Sequence, residues 1–290
     1  MSTLVENVAK VTAAHAALKT AIAAKGVTVP DGTKLTGMPA LVGQISTEPV
    51  TTNPRAVFAG DSATSLVVPN MMVVDTIATD NLQYSFYGCK KLQSLTLPDG
   101  FGKSATSLYG CFHDCTSLSS VELPAGFGQF AKIIVNCFRE LRVLKHLTLP
   151  TGFGKEATDI GACFLDCISL SALTIPDGFG QSATNIAHCF RFCRSLSALT
   201  LPDGFGQSAT DTTYCFSGCT VLTTITGNPN FKVSVDFSSC TKLTHDSLMV
   251  VINGLQTVTS SQTLTLGTTN LAKLTDEEKK VATDKGWTLA

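Results

Sequence analysis

Hydrophobic positions recur along most of the chain with a fixed period of 26 residues. The clearest marker is a Cys-Phe pair that begins at Cys111, Cys137, Cys163, Cys189 and Cys215. The pair opens a unit of the form C-F-x-x-C-x-x-L-x-x-L-x-L-P-x-G-F-G-x-x-A-x-x-I, which is almost unbroken from Cys163 to Ile186. An earlier copy starts at Ser85-Phe86, and a shortened last copy contains Phe237. The pattern therefore predicts a repeat protein.

Each unit predicts one short strand and one tight turn. In Leu173-x-Ile175-Pro the apolar residues alternate before a proline, as in a strand with one buried face. The D-G-F-G turn that follows places a phenylalanine between two glycines, which accept positive φ. We expect these phenylalanines to form one stacked column, made of Phe101, Phe127, Phe153, Phe179 and Phe205. Because one unit cannot enclose a core, the units must stack into a solenoid.

The first 65 residues do not carry the full repeat. Within residues 1–46 an apolar seam with heptad spacing predicts a helix, and its members are Leu4, Val8, Val11, His15, Leu18 and Ile22. Either this helix packs as a single amphipathic helix on a second short one around residues 38–45, or it self-associates, with a homotrimer as the expected product. Residues 47–65 are rich in Ser, Thr and Pro and predict a linker.

The C-terminal segment, residues 244–290, predicts a cap for the repeat array. Its pattern indicates a helix over residues 247–255 and a strand over 262–266. A second helix is expected to start at Thr275, because the acidic residues that follow suit the first turn of a helix. Repeat arrays need a terminal unit with a polar outer face, which this segment supplies.

Composition and charge exclude several classes of function. The 290 residues include 21 Lys and Arg against 22 Asp and Glu, so the net charge of -1 gives no electrostatic reason to expect a nucleic acid partner. Apolar residues make up 44% and charged residues 15%, which suits an ordered core. We expect no membrane insertion and no signal peptide, because MSTLVENVAK lacks an apolar core and no later stretch approaches the roughly 20 apolar residues of a membrane span.

The candidate chemistry rests on cysteines and histidines. Cys-x-x-x-Cys occurs at 111/115, 163/167, 189/193 and 215/219. The spacing repeats together with the phenylalanine, and Leu141 replaces the second cysteine in one copy. The pattern therefore favours buried thiols over the alternatives of disulfides or a zinc site. The histidines lie in no catalytic or phosphate-binding motif, so we predict no enzymatic activity, no metal and no cofactor.

Positions around the Cys-Phe pair vary between copies, whereas the core positions do not. In a stacked solenoid such positions form one contiguous stripe, and Arg, Tyr and other large side chains there are typical of binding surfaces. We therefore predict a ligand-binding stripe formed by His113, Arg139, Arg142, His188, Arg191, Phe192, Arg194 and Tyr214. The alternative is that these are solvated loop residues without a ligand.

The repeat resembles that of the BspA-like family of bacterial surface antigens, in which A-F-x-x-C-x-x-L-x-x-[VI]-x-[IL]-P recurs. The resemblance covers residues 66–243 and differs from the commoner form in its Cys-Phe pair and fixed GFG turn. It implies a β-rich leucine-rich-repeat solenoid with short parallel strands in 26-residue rungs, here with an N-terminal α-helical segment and a small α/β C-terminal cap. The stretch AALKTAIAAKGVTVPDGTKLTGMPALVGQI is similar to N-terminal segments of phage tail and virion proteins from gut bacteria.

These resemblances suggest a non-enzymatic phage virion protein, a tail-fibre or other receptor-binding component made in the host cytoplasm. Its expected partners are a host cell-surface glycan or protein at the stripe and other virion tail proteins at residues 1–46. Two alternatives stay open: a bacterial BspA-like surface adhesin or protein-binding module, and a structural virion decoration or connector without a receptor. The expected lack of a signal peptide favours the virion, because virion proteins leave by lysis.

Light scattering after size exclusion tests the oligomerisation helix. We expect the full chain to have the mass of a trimer and a version without residues 1–46 to have the mass of a monomer, because the heptad seam supplies the contacts. Equal monomeric masses for both versions would show that the seam does not drive self-association.

Overall fold

The computed structural model describes residues 64–67 and 81–290. The helix expected within residues 1–46 and most of the linker expected over 47–65 lie outside the described residues. Six short strands follow each other along the chain: β1 (Ser65–Val67), β2 (Ser94–Thr96), β3 (Ser120–Glu122), β4 (His146–Thr148), β5 (Ala172–Thr174) and β6 (Ala198–Leu201). β7 (Thr224–Gly227) continues the series. The alternating apolar positions before each proline thus form strands, as the sequence predicts.

The strands pair in parallel at equivalent repeat positions. β2 pairs with both β1 and β3, β4 pairs with β5, and β6 pairs with β7. Leu95 lies opposite Val121 and Leu147 opposite Leu173, so each inward residue stacks on its counterpart one rung away. This register is that of a solenoid whose rungs are the repeat units, which confirms the predicted short parallel strands.

A second ladder runs along another side of each rung. Single parallel bridges connect equivalent residues of successive rungs, namely Asn81, Ser107, Ile133, Asp159, Asn185 and Asp211. Several of these side chains also accept a hydrogen bond from the backbone two residues later, as Asp159 does from Gly161 at 2.9 Å and Asn185 from Ala187 at 2.9 Å. Such turns fix the direction in which the chain enters the Cys-Phe segment.

Phenylalanine rings fill the core in two columns, where the sequence predicts one. The expected column from Phe101 to Phe205 has ring centroids 6.1 to 6.5 Å apart in near-parallel pairs. The second column, from Phe86 to Phe216, belongs to the Cys-Phe pairs and has spacings of 5.2 to 5.6 Å. Tilted contacts such as Phe138 with Phe153 at 5.9 Å join the columns. A single aromatic core therefore runs through all the rungs.

The cysteines line this core as buried side chains, all eleven of them. The second cysteine of a unit donates its thiol hydrogen to the carbonyl of the phenylalanine one rung back, as Cys115 does to Phe86 at 2.9 Å and Cys167 to Phe138 at 3.0 Å. Leu141 is fully buried at the equivalent position. The prediction that the cysteines are packed thiols agrees with this arrangement. Burial raises the pKa of the Cys167 thiol to about 12.

The second glycine of each GFG turn is required by the ring of the next rung. Gly154 has φ +66, and a Cβ there would lie 2.7 Å from Phe179 Cδ2. A Cβ at Gly128 would likewise lie 2.8 Å from the Phe153 ring, and a Cβ at Gly180 would lie 2.6 Å from the Phe205 ring. The first glycine of the turn, Gly152, also has positive φ, but the nearest atom to its Cβ would be 3.6 Å away.

The C-terminal segment closes the array with α1 (His245–Asn253), β9 (Gln262–Thr265), α2 (Gly267–Leu271), α3 (Asp276–Asp284) and β10 (Trp287–Leu289). β9 pairs in parallel with β8 (Val235–Asp236) on one side and with β10 on the other. Thr244 caps α1, so this helix begins two residues earlier than the sequence suggests and ends at Asn253. Thr275 and Glu278 form a capping box at the start of α3. Among the described residues, no helix has the length and apolar character needed to cross a membrane.

Alanine substitutions at the two glycines of one GFG turn distinguish the free-energy cost of a left-handed backbone from that of a contact with the neighbouring ring. We expect Gly154→Ala to lower the free energy of unfolding by about 2–4 kcal/mol, because a left-handed alanine adds to a displaced Phe179 ring. Gly152→Ala, the matched control, should cost only about 1–2 kcal/mol for the backbone. Urea unfolding measures both, and equal losses would contradict the role of the Phe179 contact.

Candidate binding surface

The variable side chains project from the backbone turns that surround each Cys-Phe pair. In these turns alternate N–H groups bond within the rung, as Arg191 N does to His188 O at 3.1 Å. The N–H groups between them donate to backbone carbonyls of the next rung, as His188 N does to Thr213 O and Phe192 N to Ser217 O, both at 2.8 Å. With these hydrogen bonds, the residue before each Cys-Phe pair and the residue before the second cysteine of the unit have left-handed backbone conformations, with positive φ.

Bulky residues occupy several of these left-handed positions. Glu140 has φ 63, His188 φ 59, Phe192 φ 60 and Tyr214 φ 54. Side chains other than Gly, Asn and Asp seldom adopt this conformation, and such outliers concentrate at functional sites. Asn136 and Asp114 occupy the same two positions in other rungs with residue types that tolerate it better. The strained large residues therefore mark this surface as a candidate site.

Four residues form the first group, which we call the Glu140 cluster: His113, Arg139, Glu140 and Arg142. The Glu140 carboxylate accepts from Arg139 Nε at 3.2 Å with one oxygen and from Arg142 Nη2 at 3.1 Å with the other. His113 Nε2 lies 3.8 Å from the first oxygen. One carboxylate thus serves as counter-ion to two guanidinium groups.

The electrostatics of the Glu140 cluster follow from this sharing. Partial burial opposes ionisation of Glu140, but the hydrogen bond from Arg142 and the charges of both arginines hold the pKa of its carboxyl below the usual value. Burial and the charge of Arg139 lower the pKa of His113. His113 is therefore neutral at pH 7, and the cluster carries one net positive charge.

Tyrosines border the Glu140 cluster on the preceding rungs. The Tyr87 ring lies 5.1 Å from His113 edge-on, and Tyr84 contacts both Tyr87 and Tyr109 at 5.5 and 5.1 Å. Sequence analysis misses Tyr84 and Tyr87 because their copy begins with Ser85 in place of cysteine. Comparing every copy at the position directly after the pair would have found Tyr87 at the position equivalent to His113 and Arg139.

Five residues form the second group, the Arg191 cluster: His188, Arg191, Phe192, Arg194 and Tyr214. The guanidinium carbon of Arg191 lies 4.6 Å from the centroid of the Phe192 ring and 4.9 Å from that of Tyr214. Arg194 approaches the same Phe192 ring at 5.1 Å. Cations over aromatic faces are held by the ring quadrupole, so the rings fix both guanidinium groups.

His188 completes the Arg191 cluster as a neutral side chain. Its Nδ1 lies 3.2 Å from Arg191 Nη1, and its ring is 5.4 Å from that of Tyr214. Burial and the charge of Arg191 lower the pKa of His188. Because arginine only donates, Nδ1 accepts and the remaining proton is on Nε2. No carboxylate of the described residues forms an ion pair with Arg191 or Arg194.

A family model described as the BspA-type leucine-rich repeat region matches six copies, over residues 51–186 and 158–277. The chain belongs to the BspA-type leucine-rich repeat family. Repeat modules of this family are protein-binding or adhesin-type modules, and leucine-rich repeat proteins are typically non-enzymatic. The match extends beyond residues 66–243 on both sides. β1, which pairs Ser65 with Ser94, falls within the matched range.

Solved structures similar to this BspA-type chain are leucine-rich repeat proteins. A leucine-rich repeat protein of T. pallidum is 24% identical, with a TM-score of 0.48, over 67% of this chain and 84% of that one. One from Bacteroides ovatus is 20% identical, with a TM-score of 0.44, over 71% and 44% of the two chains. A leucine-rich cell surface protein from Faecalibacterium prausnitzii is 20% identical over 57% and 38%, with a TM-score of 0.36. Curated proteins gave no match.

The BspA-type solenoid groups the predicted stripe residues into two clusters instead of one continuous row. His113, Arg139 and Arg142 lie in the first, and the other five lie in the second. The rung between them presents Leu165 and Ile168 at the positions of the two arginines, and Asp166 at the position of Glu140 and Phe192. Asp166 acts electrostatically on Arg142 but forms no ion pair with either cluster among the described residues. The charge of Arg139 still lowers the pKa of His188, so the clusters remain in electrostatic range. The described residues contain no group of three potential metal ligands.

Proposed function

We propose that this BspA-type chain is a non-enzymatic recognition protein that binds a cell-surface ligand through the Glu140 and Arg191 clusters. The support comes from the separation of roles along the repeat. Most core positions hold the same residue type from rung to rung, whereas the residues of the two clusters differ between rungs. A scaffold of this kind can change its surface without disturbing its core, as recognition requires.

The chemistry of the Arg191 cluster is the single observation that carries this proposal. It combines two arginines, a tyrosine that is 51% exposed and a phenylalanine on one small patch. Arginine and aromatic side chains dominate binding energy at interfaces, because they bury a large area and donate directed hydrogen bonds.

We further propose that the recognition protein acts as a receptor-binding component of a phage tail, with residues 1–46 attaching it to other virion proteins as a homotrimer. The likeness of the N-terminal segment to phage tail proteins supports this setting. A bacterial surface adhesin would use the same clusters on a different support. Neighbouring genes for tail and portal proteins would favour the virion, and their absence would favour the adhesin.

Removing both unpaired arginines tests the proposed function. We expect Arg191→Ala with Arg194→Ala to reduce attachment of labelled protein to gut bacterial cells about ten-fold or more, because both cations lie in the proposed contact. The melting temperature should shift by only a few degrees, since neither side chain belongs to the core. Binding to cells measured by flow cytometry gives the first quantity, and calorimetry gives the second.

The matched control removes the same charge elsewhere. Lys132→Ala with Lys155→Ala changes two exposed lysines outside both clusters, so attachment should stay within about two-fold of the original protein. Retained attachment of the arginine variant, or an equal loss in the lysine variant, would contradict the proposed site.

A further inference from the structure

Two rungs carry the same arginine pair with a different residue between. Arg139 and Arg191 occupy equivalent repeat positions, and so do Arg142 and Arg194. The position after the first arginine is Glu140 in one rung and Phe192 in the other. Both residues have nearly the same left-handed backbone, with φ 63 and φ 60. The molecule therefore contains two versions of one site that differ in a carboxylate.

In the Glu140 cluster, a carboxylate lies between Arg139 and Arg142. Its two oxygens each accept from one guanidinium group, at 3.2 and 3.1 Å. In the Phe192 version, both guanidinium groups approach one uncharged ring, at 4.6 and 5.1 Å. No carboxylate of the described residues lies within ion-pair distance of either guanidinium group, and Asp211 acts on the cluster only from a longer range. Two like charges brought together in this way repel, and an external anion would remove that repulsion.

The remaining donors of the Arg191 cluster suit an oxyanion. The rings of Phe192 and Tyr214 contact the Arg191 guanidinium, so its free N–H groups lie at its edge, where planar carboxylates bind in a bidentate manner. Arg191 Nε is buried and has no hydrogen-bond partner among the described residues. The Nε2–H of His188 adds a neutral donor beside Tyr214.

We infer that the Arg191 cluster binds a carboxylate-bearing sugar of an acidic polysaccharide. This inference rests on the proposed recognition function and names the ligand class. The carboxylate takes the role that Glu140 has in its own cluster, bridging Arg191 and Arg194. The exposed ring of Tyr214 receives the apolar C–H face of the sugar ring.

A sugar acid fits this cluster better than an acidic peptide does. A uronic acid presents a carboxylate and a flat apolar face on one rigid ring, and the cluster holds the Arg191 guanidinium 4.9 Å from the Tyr214 ring centroid, so one such ring can contact both. A glutamate side chain offers the carboxylate on a flexible stem and has no such face. Ordering that stem would cost side-chain entropy that the rigid sugar does not lose.

The test uses the full chain and an oligogalacturonate, with Phe192→Glu as the decisive variant. Phe192→Glu places the protein's own carboxylate between the arginines, at a position where the equivalent residue two rungs earlier is Glu140, and should weaken binding at least ten-fold. Phe192→Gln is the matched control, because it removes the ring that holds both arginines without adding charge, and its affinity should fall less than that of Phe192→Glu. Isothermal titration calorimetry measures both affinities.

The reverse change supplies a gain of binding. Glu140→Gln releases Arg139 and Arg142 from their counter-ion, and this variant should bind the oligogalacturonate at a second site per chain, which is weaker than the first because Ala162 stands where the Arg191 cluster has Tyr214. It also keeps the test decisive if Phe192→Glu does not fold. Unchanged affinity in Phe192→Glu, or one site per chain in Glu140→Gln, would overturn the inference.

Two further ligands distinguish the source of the anion. Poly-glutamate and a sulfated polysaccharide should each bind the original protein at least ten-fold more weakly than the oligogalacturonate. Equal or tighter binding of either would overturn the assignment to a sugar carboxylate. If the Arg191 and Arg194 variant loses cell attachment while the original protein does not bind oligogalacturonate, the recognition function stands and this inference fails.

Discussion

The stacking of phenylalanine rings from rung to rung is the interaction on which the rest of the structure depends. Rings 5.2 to 5.6 Å apart in one column and 6.1 to 6.5 Å apart in the other fix the distance and register between rungs. The second glycine of the GFG turn follows from this, because a Cβ at Gly154 would overlap the next ring. The small thiols fill the space that remains beside the rings, and one residue larger than cysteine, Leu141, is accommodated.

A core set by identical rungs leaves the turn residues free to differ. Rung-to-rung backbone hydrogen bonds hold these turns whatever their side chains are, so Glu140 and Phe192 share a backbone conformation and differ only in chemistry. One change of residue then converts an arginine pair with a shared carboxylate counter-ion into a pair without one. Surfaces built in this way can acquire a ligand without loss of stability, which is the usual advantage of repeat scaffolds.

Much of the fold can be predicted from the sequence, because the period aligns every strand and turn with its copies. The second phenylalanine column could not, since nothing in the Cys-Phe pair shows that its ring points inward beside the first. The left-handed turns were also missed, because His188, Phe192 and Glu140 are not residues that signal positive φ. The pairing of Glu140 with two arginines depends on side-chain directions that spacing alone does not give, so one stripe was expected where two clusters exist.

Counting reactive thiols tests the stacked core most directly. Every cysteine is buried, and burial raises the pKa of thiols such as Cys167, so the thiolate that reacts with an alkylating reagent is scarce in the folded protein. Mass spectrometry after brief alkylation should find no labelled cysteine in the native protein and all eleven labelled in denaturant. Rapid labelling of several thiols in the native protein would contradict the stacked core and the surface built on it.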